Sequence, residues 1–166
     1  MRRGLAPSDL GDLFDQPRTA VISMSLPDGR VFSRPVWHRF VAGRFVFTFP
    51  AGDRKIAILE ADPRATVMLA EDAHPYRAIE VRGRVRMTRD GYHHIGLGIC
   101  RPYVDAFDPT TDPSAYLSVD PGVIAELEPD VMTCWDYADD ALMPPSEPRL
   151  SSSDKLTPRQ VPADDA

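Results

Sequence analysis

Between Tyr76 and Met87 the chain alternates almost without exception. Ile79, Val81, Gly83, Val85 and Met87 stand between Glu80, Arg82, Arg84 and Arg86. A helix repeats its faces about every 3.6 residues, so a period of two over this length specifies a strand. One face of that strand is buried and the other is strongly charged.

The residues before it read the same way. Thr19 to Ser25 places Ala20, Ile22 and Met24 on one face of a strand. Pro27-Asp28-Gly29 follows as a turn, because proline fixes φ and glycine accepts a positive φ. Val31 to Phe40 reads as the next strand, and Pro35 inside it implies an edge, a bulge or irregular pairing. Ala42-Gly43 makes a tight hairpin to Arg44–Phe49, where Phe45, Phe47 and Phe49 share a face. Ala65 to Ala70 is a buried strand, and 122–128 with 131–137 form two last strands or one bent strand.

Helices are short. Residues 8–16 read as one with Ser8 as N-cap, ended by Pro17. Another starts at Arg54-Lys55, buries Ile56 and Leu59 with Ile58 as a further candidate, and stops at Asp62-Pro63. A third runs from Asp90 to about Ile99, weakened by Gly96 and Gly98, and residues 102–122 hold at most a turn of helix near 114–118. Such a chain is expected to be mainly β with short helices, as a small antiparallel barrel with appended helices or an open α+β sheet. Residues 1–139 form the domain. Residues 140–166, rich in proline and serine, read as an extended or disordered tail.

Charge and composition limit the functions. The net charge of −6 argues against a general nucleic-acid partner. No apolar run reaches the roughly 20 residues of a membrane span. Met1-Arg2-Arg3-Gly4 leads into a polar stretch, so a cytoplasmic location is expected. Cys100 and Cys134 have neither metal nor redox spacing and read as free thiols, with a disulfide left open. Adjacent His93 and His94 point about 100° apart on a helix, so no metal site is expected.

Two stretches invite a ligand. Gly52-Asp53-Arg54-Lys55 leads a loop into a helix start with two cations, which an anion, most simply a phosphate, would balance. Lys55 is one of only two lysines in the chain. The same residues also read as a solvated pair beside Asp53. Arg34-Pro35-Val36-Trp37-His38-Arg39 could line an aromatic ligand, or bury a core tryptophan between surface arginines. No dinucleotide loop, nucleophile elbow or carboxylate pair is present, and no catalytic side chain is identified. His38 or an ordered water could supply a proton.

The ordered set of Pro-Asp-Gly-Arg, Arg-Pro-Val-Trp, Phe47-Thr48, Arg54-Lys55, Leu59, Asp62–Val67 and Glu80–Val85 resembles the pyridoxamine-phosphate-oxidase-like family. The likeness covers roughly 17–88 and continues more weakly over 123–137, where Trp135 sits on the last strand. It lies nearest the actinobacterial deazaflavin (F420)-dependent branch. The resemblance implies an FMN-binding-type split β-barrel, an antiparallel six-stranded barrel in a homodimer with coenzyme sites at the interface. It also implies an oxidoreductase carrying coenzyme F420, or alternatively FMN, that exchanges hydride with a small conjugated substrate. Arg54 and Lys55 would hold the coenzyme phosphate, with Gly52 leading in and Thr48 beside it. Pro35, Val36 and Trp37 would run along the ring, and Arg34 and Arg39 match the basic positions bracketing that strand in the oxidases. The chain departs from the oxidases at Ile58, where an asparagine is common, and at Ala78, where they carry glutamine. A flavin- or haem-binding protein without turnover is the reading of a different class.

Overall fold

The computed structural model describes residues 4–138, and the expected tail at 140–166 lies outside them. Among the described residues are seven strands: β1 (Ala20–Ser25), β2 (Val31–Val36), β3 (Arg39–Val41), β4 (Arg44–Phe49), β5 (Arg64–Ala70), β6 (Arg77–Thr88) and β7 (Val123–Asp136). Two α-helices, α1 (Arg54–Ala61) and α2 (Tyr92–Phe107), and two 3-10 segments, Pro7–Phe14 and Pro113–Tyr116, accompany them. The strands form one antiparallel sheet in the order β2-β1-β5-β6-β7-β4-β3.

The strand expected over Val31–Phe40 is broken at Trp37-His38. Its first half pairs with β1 and its second with β4, at opposite edges of the sheet. Three peptide steps from Val36 to Arg39 reach at most roughly 11 Å. The two edges are therefore brought together, and the sheet curls into a barrel whose split lies at Trp37-His38. Counted through that break, β2 and β3 are one strand and the barrel is six-stranded, as the family resemblance implied. Pro35 lies in the edge strand β2, where a missing N–H costs no ladder bond.

The alternation of β6 is realised. Val81, Gly83 and Val85 face inward while Arg82, Arg84 and Arg86 are exposed. The last strand is single and bent. Arg82 pairs with Val131 but Gly83 with Pro129, which leaves Asp130 as the extra residue of a bulge. A Cβ on Gly83 would overlap the carbonyl of Glu128, so the bulge closes only over glycine. Phe45, Phe47 and Phe49 stack in a row inside the barrel, centroids 6.1 Å apart. Each buried phenylalanine of that row contributes roughly 1.5–3 kcal/mol.

Three helix expectations need correction. The first segment is a 3-10 turn beginning at Pro7, kinked at Gly11, and its cap is Ala6 rather than Ser8. Proline's fixed φ suits the first helical position, and the Asp9 carboxylate accepts the Ala6 backbone N–H at 2.8 Å. The helix expected to stop near Ile99 runs through Pro102 to Phe107. Burial of Tyr103 and Val104 offsets the hydrogen bond that Pro102 cannot make. Gly96 lets α2 approach closely, since a Cβ there would lie 2.7 Å from Leu117. Cys100 and Cys134 are both free and buried.

Arg77 ties the N-terminal segment to the barrel. It donates to the Leu10 carbonyl at 2.7 Å and pairs with Glu71, holding that carboxyl below its ordinary range. Among the described residues no helix is long and apolar enough to cross a membrane.

Candidate functional site

A cleft of about 410 Å³ opens where the barrel splits. Its floor is the end of β2, with Pro35 and Val36, and the adjoining Trp37. Thr48, Phe49 and Pro50 form one side, and Asp53 and Lys55 close that end. Ile99 and Cys100 of α2, Tyr116 of the second 3-10 turn and Thr19 at the approach to β1 complete the lining.

The turn before α1 sets the charged end. The Asp53 N–H donates to the Pro50 carbonyl at 3.1 Å, and Gly52 takes φ +80° to allow it. Asp53 then caps α1, its Oδ1 accepting the Lys55 backbone N–H at 2.8 Å. Its other oxygen accepts the Lys55 Nζ at 2.6 Å, a half-buried ion pair. The same Nζ lies 4.9 Å from the Phe49 ring centroid. Among the described residues lining the cleft, Asp53 and Lys55 are the charged ones.

Trp37 supplies the flat apolar surface. Its indole stacks on Tyr103 with centroids 4.9 Å apart and planes 12° from parallel. Tyr116 leans against it at 5.2 Å and Phe107 at 6.4 Å. The Tyr103 hydroxyl donates to the Arg18 carbonyl at 2.8 Å and accepts the His38 backbone N–H at 3.1 Å. The stacked ring is thereby pinned to the break in the barrel wall. Burial pushes this phenol up to about 12, so it stays protonated.

Of the residues picked out by sequence, Pro35, Val36, Trp37, Thr48 and Lys55 meet in this cleft. Gly52 shapes the turn without lining it. Arg54 leaves the cleft: its guanidinium lies 5.1 Å over Phe32, and it lines a separate groove of about 550 Å³ with Pro27 and Arg64. Arg34 stacks on the same Phe32 at 4.0 Å. Arg39 lines a third cavity, of about 240 Å³, with His38 and Asp15.

His38 is unsuited to donate a proton to a ligand in the cleft. It is only 4% exposed and does not line the cleft, and neither ring nitrogen has a hydrogen-bond partner. Burial lowers it to about 4, with the Arg18 carbonyl pulling weakly the other way, so the ring is neutral at pH 7.

Sequence reading missed Thr19, Phe49, Pro50, Asp53, Ile99, Cys100 and Tyr116 as cleft residues, although it placed Asp53 beside the two cations. Ile99 with Tyr103 and Cys100 with Val104 stand four apart, which was the available signal for a helix continuing through Pro102. His93 has a structural part, its Nε2 lying 3.1 Å from the Ser118 carbonyl. Among the described residues no group of three or more His, Cys, Asp or Glu side chains converges.

No known family profile and no curated protein matches the sequence. Solved structures do match the fold. A conserved hypothetical protein, Rv2991 from Mycobacterium tuberculosis, aligns with TM-score 0.69 at 18% identity, over 87% of this chain and 93% of its own. An F420 reductase aligns with TM-score 0.61 at 24% identity, over 76% of this chain and 98% of its own. A pyridoxamine 5'-phosphate oxidase-type protein from Listeria innocua aligns with TM-score 0.58 at 12% identity, over 76% of this chain and 95% of its own. The chain has the split β-barrel fold of pyridoxamine-phosphate-oxidase-like proteins.

Proposed function

We propose that this protein is an oxidoreductase that binds the deazaflavin coenzyme F420 and exchanges hydride with a small conjugated substrate. The observation that carries the reading is the cleft at the barrel split. It offers one ammonium, Lys55, at one end and an indole held flat, Trp37, along its floor. An anionic coenzyme with a planar ring needs that combination. The similarity in fold to an F420 reductase points the same way.

When bound, the coenzyme would supply the hydride chemistry. The chain would do the rest. Lys55 would anchor a phosphate and the Thr48 hydroxyl would bond beside it. Pro35, Val36 and Trp37 would orient the ring, and α2 with Tyr116 would wall off water. The donors present fit such a ligand. FMN is the second coenzyme of the same reading, favoured by the likeness to pyridoxamine-phosphate-oxidase-type proteins. Arg34 and Arg39, which match the oxidases' positions, lie outside the cleft.

The reading includes a homodimer. Val21 and Met68 pair across β1 and β5, and each is 40% exposed on the outer face of the sheet. A second copy would cover them. It also includes a cytoplasmic location, in keeping with two buried thiols that are not joined.

Titration of the purified full chain with F420 and with FMN, followed by ligand fluorescence, tests the proposal. Tight binding of F420 with weaker binding of FMN is expected. Preference for FMN would move the protein to flavin chemistry, and binding of neither would overturn the reading.

A further inference from the structure

Resting on that functional reading, we infer that the charged end of the cleft accepts a singly charged phosphodiester and disfavours a doubly charged phosphomonoester, and that Asp53 sets the preference. The observation is the pairing of Lys55, the cleft's one cation among the described lining residues, with a carboxylate 2.6 Å away.

A lysine ammonium has three N–H donors. One is engaged by Asp53, which leaves two for a ligand. The pair's net charge is zero, so a phosphate approaching it meets attraction and repulsion from nearly the same place. A monoanion gains two charge-assisted hydrogen bonds against modest repulsion. A dianion doubles its attraction to Lys55 and its repulsion from Asp53 together, so a pair of zero net charge returns little more to it, while the cost of its lost hydration rises more steeply than its charge.

Arg54 does not correct the balance, since its guanidinium lies over Phe32 beside another groove. Arg34 sits on that same ring. Phosphomonoesters carry close to two charges at neutral pH, their second pKa being about 6. FMN ends in a monoester. In F420 the phosphate joins two alcohols and carries one charge. The inference therefore separates the two coenzymes that the fold alone leaves together.

Asp53→Asn removes the charge and keeps an N-cap acceptor, so α1 should stay intact. Dissociation constants of F420, FMN and riboflavin, which shares FMN's ring without the phosphate, would be measured for both proteins at neutral pH. In the native chain FMN should bind no more than about threefold tighter than riboflavin, its phosphate contributing little net attraction. In the variant FMN should tighten by roughly tenfold, F420 by about threefold or less, and riboflavin not at all.

A second measurement needs no variant. FMN should bind the native chain more tightly as pH falls from about 7.5 to about 5.5, as its monoester takes a proton, while riboflavin holds constant. Equal tightening of FMN and F420 in the variant, no tightening of either, or a pH-independent FMN affinity would overturn this inference while F420 binding kept the functional reading. Binding of none of the three ligands would overturn both.

Discussion

Trp37 and His38 are consecutive in the chain and serve opposite sides of the barrel wall. The indole faces the cleft, stacked on Tyr103, and the imidazole packs edge-on against Phe45 with centroids 4.9 Å apart. Adjacent residues of an extended chain point to opposite faces, and the break in the strand keeps both from hydrogen-bonding to a sheet neighbour in regular register. One position builds the ligand surface while the next closes the core.

The buried imidazole gives stability a pH dependence of definite sign. His38 titrates near 4 in the folded chain and near 6.5 when solvated. Between those values the unfolded state holds a proton that the folded state lacks, so stability rises with pH there. It is fully present above about pH 6.5 and lost towards about pH 4, by roughly 3 kcal/mol. His38→Leu removes two unpartnered ring nitrogens at similar volume and should be neutral or stabilising near pH 7. Urea midpoints of both proteins across this range should diverge as pH falls, and parallel curves would assign the acid sensitivity to the carboxylates.

Tyr103 joins three elements through one hydroxyl. Tyr103→Phe keeps the stack on Trp37 but leaves the Arg18 carbonyl and the His38 N–H without that partner. The expected loss is about 1–3 kcal/mol by thermal denaturation. Ligand affinity should fall with it, because the indole loses its tether, and an unchanged affinity would show that the stack alone holds Trp37.

Gly83 has no substitute at its bulge. Gly83→Ala places a Cβ on the Glu128 carbonyl and must push β7 away from β6. A loss of roughly 1–3 kcal/mol is expected, against a few tenths for an exposed strand substitution such as Ser25→Ala. Equal melting temperatures for the two variants would mean the bulge relaxes freely.

The neighbouring cations should part company in binding. Lys55→Met removes the cleft's ammonium and should weaken an anionic coenzyme by about tenfold or more. Arg54→Met, removing a guanidinium that lies over Phe32, should change affinity by about threefold or less. Equal losses would place Arg54 on the ligand as well.

Met68→Glu introduces a charge beside Val21 on the outer face of the sheet. If that face is where two copies meet, sedimentation should report monomers for the variant and dimers for the native chain. A dimer in both would move the interface elsewhere.

The strands were legible because each carries its own period. The β6 alternation and the Phe45, Phe47, Phe49 row need only a sheet with one apolar face. The break at Trp37-His38 was not, since Pro35 signals irregularity without locating it and the closure is a long-range event. Part of the cleft was legible for the same local reason: Pro35, Val36, Trp37, Thr48 and Lys55 lie in segments with clear turns and strands. The α2 side was hidden by Pro102, whose penalty tertiary packing outweighs. The divergence of Arg54 from Lys55 was hidden too, because adjacent helical residues point about 100° apart while sequence reads them as one basic patch.

The sheet order carries a consequence for how the chain is made. Strand β4 pairs only with β3 and β7, while β1, β2, β5 and β6 form a connected group of their own. The β3–β4 hairpin is complete by Phe49, yet its partner begins at Val123. During synthesis the residues of both groups are made before β7, the strand that joins them. Such distant pairing slows folding and leaves strand edges open to other chains in the interval. A polypeptide halted before β7 would be two unjoined sheets, with neither the barrel nor the cleft at its split.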